Sequence, residues 1–361
     1  MIPTISCSKS LKPIEPDAFT LALMLSSSEL SNYSNFPALN KLVDIFLEGY
    51  QSFIETKFTP QKSYLALRYL YCLTNGYFND FISDCINQFN PPYQLNCTNG
   101  ILGELEKFKI SNIVEQITQH GFYIFNQKLS LDICEKLKLF ALTTPSKPYP
   151  SSEGNDKTIY NSKKLLAQTY HFDESDLLNN SEIQNLLVDS SILAIAQAYL
   201  GCKPIQDIVA MWWSTGFDKE PVSEAAQLYH FDIDRIKFIK FFIYLTEVTT
   251  HNGPHCYVRG SHESKPLELL KDGRIPDSEI EQYYGKEDIV EIIGSTGTIF
   301  AADTRGFHKG KHLHSSERLI FEIEFTNSLF GADYSNFSIT PVGNKFIEKL
   351  SEYRYTFCRF T

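Results

Sequence analysis

The chain has 361 residues, 43% hydrophobic and 21% charged, which excludes a long disordered, collagenous or coiled-coil protein and leaves room for two domains or one with an appendage. Its 33 basic and 43 acidic residues give a net charge of −10 with no Lys/Arg run, a poor match to a phosphate backbone, so no nucleic-acid partner is expected. Phe19 to Leu25 is too short to span a membrane, and Met1 to Lys9 lacks the charged and apolar regions of a signal peptide, so no membrane partner is expected either.

Residues 1–103 read as a helical N-terminal region. From Leu39 to Ile54, apolar residues three and four apart trace one face of an amphipathic helix. Pro60 opens a second helix, where Tyr64 to Leu73 is apolar almost all round and predicts burial. Asn90 to Gly100 reads as a loop, and the boundary is placed near Gly100 to Gly103.

Residues 104–361 form the second unit. Ile110 to His120 predicts a helix, Gly121 to Phe125 a strand, and Ser130 an N-cap for the next helix. Pro145 to Lys163 is polar and predicts a loop. Ser181 to Leu200 predicts one helix stopped by Gly201. Beyond Pro204 the texture becomes β-rich, at Ile208–Trp213, Lys237–Leu245, Asp288–Ile293, Thr298–Ala302 and Arg318–Phe325. Short strands with turn punctuation predict an all-β barrel or double-sheet roll, so the expected class is α+β. Eight cysteines at irregular spacing, without C-x-x-C, predict reduced thiols in a cytoplasmic protein.

The chemistry is sought among nine histidines. Residues two apart on a strand share a face, so His230 and Asp232 can point together into the roll, with His308 joining from a distant strand. Two imidazoles and one carboxylate form the facial arrangement that holds non-haem Fe(II) and leaves positions open for a co-substrate and O₂. Arg318 offers a guanidinium fork for a carboxylate. Strand alternation also turns Glu322 and Glu324 inward with it. Either the far end of the roll is polar, a bulge resets the register, or Arg318 is not the anchor. His171-Phe-Asp173 has the same spacing as His230-Phe-Asp232, but its acidic surroundings read as caps and surface.

From about Ile110 to Ser328 the chain resembles the phytanoyl-CoA dioxygenase family. The match runs in order through Gly121-Phe122, Tyr199-Leu200-Gly201, His230-Phe231-Asp232, Asn252-Gly253-Pro254, Gly260-Ser261-His262, Gly297 and Asp303-Thr-Arg-Gly-Phe-His308. The resemblance implies a double-stranded β-helix (jelly roll) and an Fe(II)- and 2-oxoglutarate-dependent dioxygenase that hydroxylates a small-molecule substrate with O₂ as co-substrate. It implies that His230, Asp232 and His308 bind Fe(II), that Arg318 binds 2-oxoglutarate, and that Gln227 is a weaker contact. An aspartate at 232 implies hydroxylation rather than halogenation. Members often carry Trp before the first ligand and a hydroxyl residue two places after the distal His; here these are Tyr229 and Gly310. The alternative is a non-catalytic binding protein on the same fold.

Other residues receive structural readings. His251 and His255 flank a Gly-Pro turn and predict exposure. His262 reads as structural and Cys256 as core. His308, His312 and His314 with Lys309 and Lys311 read as a charged turn rather than a zinc site. Arg235, Lys237, Lys240, Arg259 and Arg305 read as scattered surface charge rather than a basic rim. Of Trp212 and Trp213, one is expected in the core and the other at the pocket.

Overall fold

The computed structural model describes residues 15–26, 37–150, 156–314 and 316–360. Met1 to Lys9, with Cys7, and part of the Pro145–Lys163 stretch lie outside the described residues.

The chain opens with helices α1 (Ala18–Ser26), α2 (Pro37–Thr56), α3 (Gln61–Thr74) and α4 (Tyr77–Asn87). The apolar row of α2 packs as its spacing predicts, with Phe46, Tyr50 and Phe53 meeting Leu67 and Leu70 of α3 and Phe78 and Ile82 of α4. The same core takes in Ile205, Ile236, Leu329 and Phe330, so these helices pack on the rest of the chain. Helix α3 is not buried all round: Leu65, Tyr69 and Leu73, four residues apart, are 42%, 59% and 60% exposed. Composition could not separate the two apolar faces, and only the one carrying Leu67, Leu70 and Tyr71 finds a neighbour.

A small hairpin, β1 (Asn99–Gly100) and β2 (Gly103–Glu104), leads to α5 (Lys107–His120), β3 (Phe122–Lys128), α6 (Leu131–Thr143), β4 (Lys147–Tyr149) and β5 (Thr169–His171). Gly121 joins α5 to β3 at φ 85°, and a Cβ there would fall 2.2 Å from the Tyr257 hydroxyl, so both conformation and space demand glycine. Ser130 caps α6, its Oγ accepting from Ile133 N at 3.4 Å. Next come α7 (Glu174–Leu178), α8 (Ser181–Leu187) and α9 (Ser190–Leu200). The expected single helix over 181–200 is therefore two. Asp189 interrupts it, accepting from Ser191 N and Ile192 N as the cap of α9.

The remaining elements are β6 (Ile205–Thr215), β7 (Phe238–Tyr244), β8 (His255–Val258), α10 (Asp277–Ile280), β9 (Ile289–Ile292), β10 (Thr298–Ala302), β11 (His308–Gly310), β12 (Glu317–Thr326) and α11 (Asn344–Glu352). A seven-stranded sheet has the order β3-β10-β7-β12-β6-β5-β4, and a three-stranded one the order β11-β8-β9. Their pairings are antiparallel. Phe242, Tyr244, Phe300 and Ile320 of the large sheet meet Tyr257 and Ile292 of the small one, which closes a double-stranded β-helix. The outer face of the large sheet, with Phe241, Ile243, Phe321 and Ile323, is covered by Ile117, Leu137, Ile183 and Ile195 of the flanking helices.

The β12 register answers the question of where Arg318 points. Ile320 lies opposite Tyr244, Glu322 opposite Phe242 and Glu324 opposite Lys240, without a break on the β7 side. Ile320 is in the interior cluster, while Leu319, Phe321 and Ile323 are in the outer one. Arg318 therefore faces inward, and Glu322 and Glu324 follow it into a polar far end. A register shift between Ile323 and Phe325 occurs against β6 only.

Candidate metal centre

His230 and Asp232 lie on irregular chain between β6 and β7, tied to the roll by single bridges rather than a full strand. His230 N donates to His308 O at 3.1 Å, His308 N returns the bond at 2.9 Å, and Asp232 N donates to Thr304 O at 2.8 Å. Tyr229 pairs in the same way with Ile275. This stitching brings the two segments together although 78 positions separate His230 from His308 (308 − 230).

One ligand atom from each of His230, Asp232 and His308 falls within 4.8 Å of the others, the one such group of three among the described residues. His230 Nε2 lies 3.8 Å from Asp232 Oδ1, and His308 Nε2 lies 3.5 Å from Oδ2. Both rings give their other nitrogen to the backbone: His230 Nδ1–H donates to Leu228 O at 3.0 Å, and His308 Nδ1–H to Gly306 O at 3.0 Å. These bonds select the tautomer whose Nε2 lone pair is free, the form in which imidazole binds a metal. Burial, then the neighbouring His308, pushes His230 down to about 3, and burial lowers His308 as well, so both rings are neutral. Burial alone would raise the pKa of Asp232. Lys240 outweighs it and holds the carboxyl well below the usual range, hence anionic. The donor set is two neutral imidazoles and a carboxylate, which fits a divalent first-row metal.

Arg318 is 5% exposed inside the roll. Its guanidinium donates to Gly253 O and, at 3.0 Å, to Ser214 Oγ, while Nε has no partner. Among the described residues no carboxylate forms an ion pair with it. A buried cation without a counter-ion is costly, and an incoming carboxylate is the group that would relieve that cost. Arg305 does not share this character: it is fastened to Asp303 and Asp80.

Gln227 is buried, with Oε1 accepting from Val222 N at 2.7 Å and lying 3.2 Å from His312 Nδ1. His171 sits on β5 with Nε2 3.0 Å from Thr169 Oγ1 and its ring stacked on Trp212 at 6.0 Å. Asp173 is ion-paired to Lys157. The structure thus separates this second His-x-Asp from the metal group. Trp213 is core, as expected for one of the pair, and Trp212 packs at the roll interior. His262 is structural, its Nε2 bonding to Thr118 O at 2.9 Å, and Cys256 is buried.

Several expectations are corrected. His255 is not exposed: it is 6% accessible, stacked on the His308 ring and packed against Phe242 and Phe300. Its place at the start of β8 turns it inward, which the flanking Gly-Pro turn concealed. Arg235, Lys240 and Arg305 are not surface charge. Arg235 is paired with Asp207, and Lys240 with Asp232, Glu322 and Glu324. The turn after His308 is less solvated than its charge implies, because Lys309 is buried against Asp277 and His312 against Gln227. The period-two alternation of β7 was the available signal for Lys240; a pairing partner for β8 could not be read locally.

The sequence profile of the phytanoyl-CoA dioxygenase family matches residues 119–319. No curated protein matches the sequence. Among solved structures, the chain is similar to EctD from S. alaskensis with bound Fe, at 16% identity and TM-score 0.48, covering 67% of this chain and 86% of that one. It is also similar to the non-heme alpha ketoglutarate dependent epimerase SnoN from nogalamycin biosynthesis, at 14% identity and TM-score 0.46, covering 66% and 98%. The carbocyclase SnoK from the same biosynthesis has 16% identity and TM-score 0.43, covering 70% and 93%.

Proposed function

The chain belongs to the phytanoyl-CoA dioxygenase family of Fe(II)- and 2-oxoglutarate-dependent oxygenases, and from that premise we propose that it hydroxylates a small-molecule substrate. His230, Asp232 and His308 are the proposed Fe(II) ligands and Arg318 the proposed anchor for the distal carboxylate of 2-oxoglutarate. The observation that carries the reading is the convergence of three ligand atoms within 4.8 Å in a roll that also buries a guanidinium without an acid partner. When bound, the metal and 2-oxoglutarate supply the oxidising power, with O₂ consumed and succinate and CO₂ released.

The chain's own residues bind, orient and shield. The carbonyls of Leu228 and Gly306 hold the imidazoles in their ligating tautomer. Asp232 occupies the third position as a carboxylate, which favours hydroxylation over transfer of a halide. Phe242, Phe300 and Ile320 exclude water from the interior. Gln227 contributes through the 222–227 loop it fastens, whose Ala226 carbonyl accepts from Gly310 N at 3.0 Å. The free thiols of the described cysteines accord with a reducing, cytoplasmic setting, and no described helix is long and apolar enough to cross a membrane.

Anaerobic addition of Fe(II) and then 2-oxoglutarate tests this. About one metal per chain is expected, followed by a charge-transfer band, and in air 2-oxoglutarate should be converted to succinate. A metabolite screen for gain of one oxygen atom would then identify the substrate. Protein that takes up neither metal nor 2-oxoglutarate would leave the non-catalytic alternative standing.

A further inference from the structure

His255 is a buried, inward-facing imidazole that the metal group does not use. Its Nε2 is buried and has no hydrogen-bond partner. An orphaned buried polar atom costs roughly 1–3 kcal/mol, so such a group points to a ligand that completes it. Its ring lies nearly parallel to that of His308, at 10° and 5.4 Å between centroids, and is wedged against Phe242 at 5.1 Å and Phe300 at 5.3 Å. It is thus held in one orientation by packing. A neutral imidazole carries one N–H donor and one acceptor nitrogen.

Position in the small sheet says which ligand group is within reach. His255 is the direct partner of Gly310 across the β8–β11 ladder. Gly310 in turn lies against the guanidinium: a Cβ built there would stand 3.4 Å from one Arg318 terminal nitrogen and 3.8 Å from the other. Those are ordinary contacts, so nothing steric demands glycine at 310, and the side-chain space beside Arg318 is left to its cross-strand neighbour. Arg318 itself lacks an acid partner, and its Nε is unsatisfied. The Arg318 terminal nitrogens and the cross-strand residue His255 therefore lie beside a position that has no side chain, and His255 Nε2 and Arg318 Nε are each without a partner.

We propose that His255 Nε2 donates a hydrogen bond to the distal carboxylate of 2-oxoglutarate held by Arg318, doing the work of the side chain that position 310 lacks. The proposal rests on the 2-oxoglutarate reading above. It makes His255 a binding residue for the co-substrate, with no proton transferred and no metal contact.

The test is anaerobic titration of 2-oxoglutarate into Fe(II)-loaded protein, read by charge-transfer absorbance. His255→Phe keeps the stack on His308 and removes the donor. It should weaken 2-oxoglutarate about tenfold, within the range for a hydrogen bond to a charged group, and leave Fe(II) affinity within about twofold. His255→Gln should recover most of the loss, because its amide nitrogen reaches where Nε2 stood. 2-Oxopentanoate, which lacks the distal carboxylate, should bind wild type and His255→Phe alike. Should His255→Phe not fold, His255→Leu provides the same comparison. Unchanged 2-oxoglutarate affinity, or an equal loss for both 2-oxo acids, overturns the proposal while the parent reading stands. Wild-type protein that binds Fe(II) but no 2-oxoglutarate overturns both.

Discussion

Lys240 Nζ stands 3.0 Å from Asp232 Oδ2, so the carboxylate proposed to bind the metal is braced by an ammonium on β7. The same ammonium lies 3.5 Å from Glu322 and 3.4 Å from Glu324. Burial would lower the Lys240 pKa, and the three carboxylates raise it well above its ordinary value instead. Removing one member of a buried ionic group strands the others, at about 3–5 kcal/mol. Lys240→Met should lose that much stability in urea denaturation of the metal-free protein. Adding Glu322→Gln and Glu324→Gln should restore part of it, because fewer charges are then left without a partner. A single variant as stable as wild type would mean that the carboxylates do not depend on Lys240.

The two His-x-Asp pairs make opposite predictions. His230→Ala or Asp232→Ala should abolish tight Fe(II) binding, since each removes one of the three proposed ligands. His171→Ala should leave the metal in place, because its ring packs on Trp212 and its Nε2 meets Thr169. Metal analysis of the purified variants reads this directly. Loss of iron in His171→Ala with retention in His230→Ala would reverse the assignment.

What the sequence made legible follows from how local each signal is. His230 and Asp232 converge although they lie on irregular chain rather than the expected strand, so there only their spacing was a signal. Arg318 opens an alternating strand, so period-two reasoning reached it and even the inward turn of Glu322 and Glu324. The strand limits at Thr298–Ala302 were readable for the same reason. His255 was not, because its orientation depends on β8 pairing with β11 and β9, segments 34 to 55 positions away (289 − 255 and 310 − 255). Arg235 read as surface charge because a lone arginine has no local feature that announces burial and its partner Asp207 is distant in sequence; Arg305 had a local signal in Asp303, but its second partner, Asp80, is distant. The break in the 181–200 helix was present in Asp189 as a capping residue, but the apolar run on both sides masked it.

Lys265 gives a pH prediction. It is fully enclosed, with Nζ over the rings of Phe231 at 4.9 Å, Tyr71 at 5.1 Å and Phe307 at 5.5 Å, and it donates to the Tyr71 hydroxyl at 2.8 Å. Burial, then Arg305, pushes its pKa down to about 7. The unfolded chain holds the proton up to about pH 10.4. Between those values the unfolded state binds more protons, so the contribution to stability rises with pH, by about 1.4 kcal/mol per pH unit at most. Below about pH 7 both states are protonated and this contribution is flat. Lys265→Met should remove the rise between pH 7 and 10. Denaturation midpoints at several pH values check it, and an identical slope in the variant would show that Lys265 stays charged in the fold.

Arg318 allows the sharpest test of the co-substrate site. Its side chain points into the roll from the first inward position of β12, and Ser214 and Gly253 hold the guanidinium without neutralising it. Burial draws its pKa down, but from a starting point so high that the group stays charged at any working pH. A hydrogen bond to a charged partner contributes roughly 1.5–3 kcal/mol, so Arg318→Ala should weaken 2-oxoglutarate about ten- to a hundredfold. Fe(II) affinity should change little, because Arg318 is outside the three-ligand group. Arg318→Lys should recover only part, since an ammonium cannot make two parallel bonds to one carboxylate. The readout is the charge-transfer titration under anaerobic conditions. Unchanged affinity in Arg318→Ala would require another cation to hold the dicarboxylate. Arg305 is a poor substitute, because Asp303 and Asp80 already occupy its guanidinium. Such a result would instead move the anchor to the exposed Arg274, whose charge is felt at both His230 and His308.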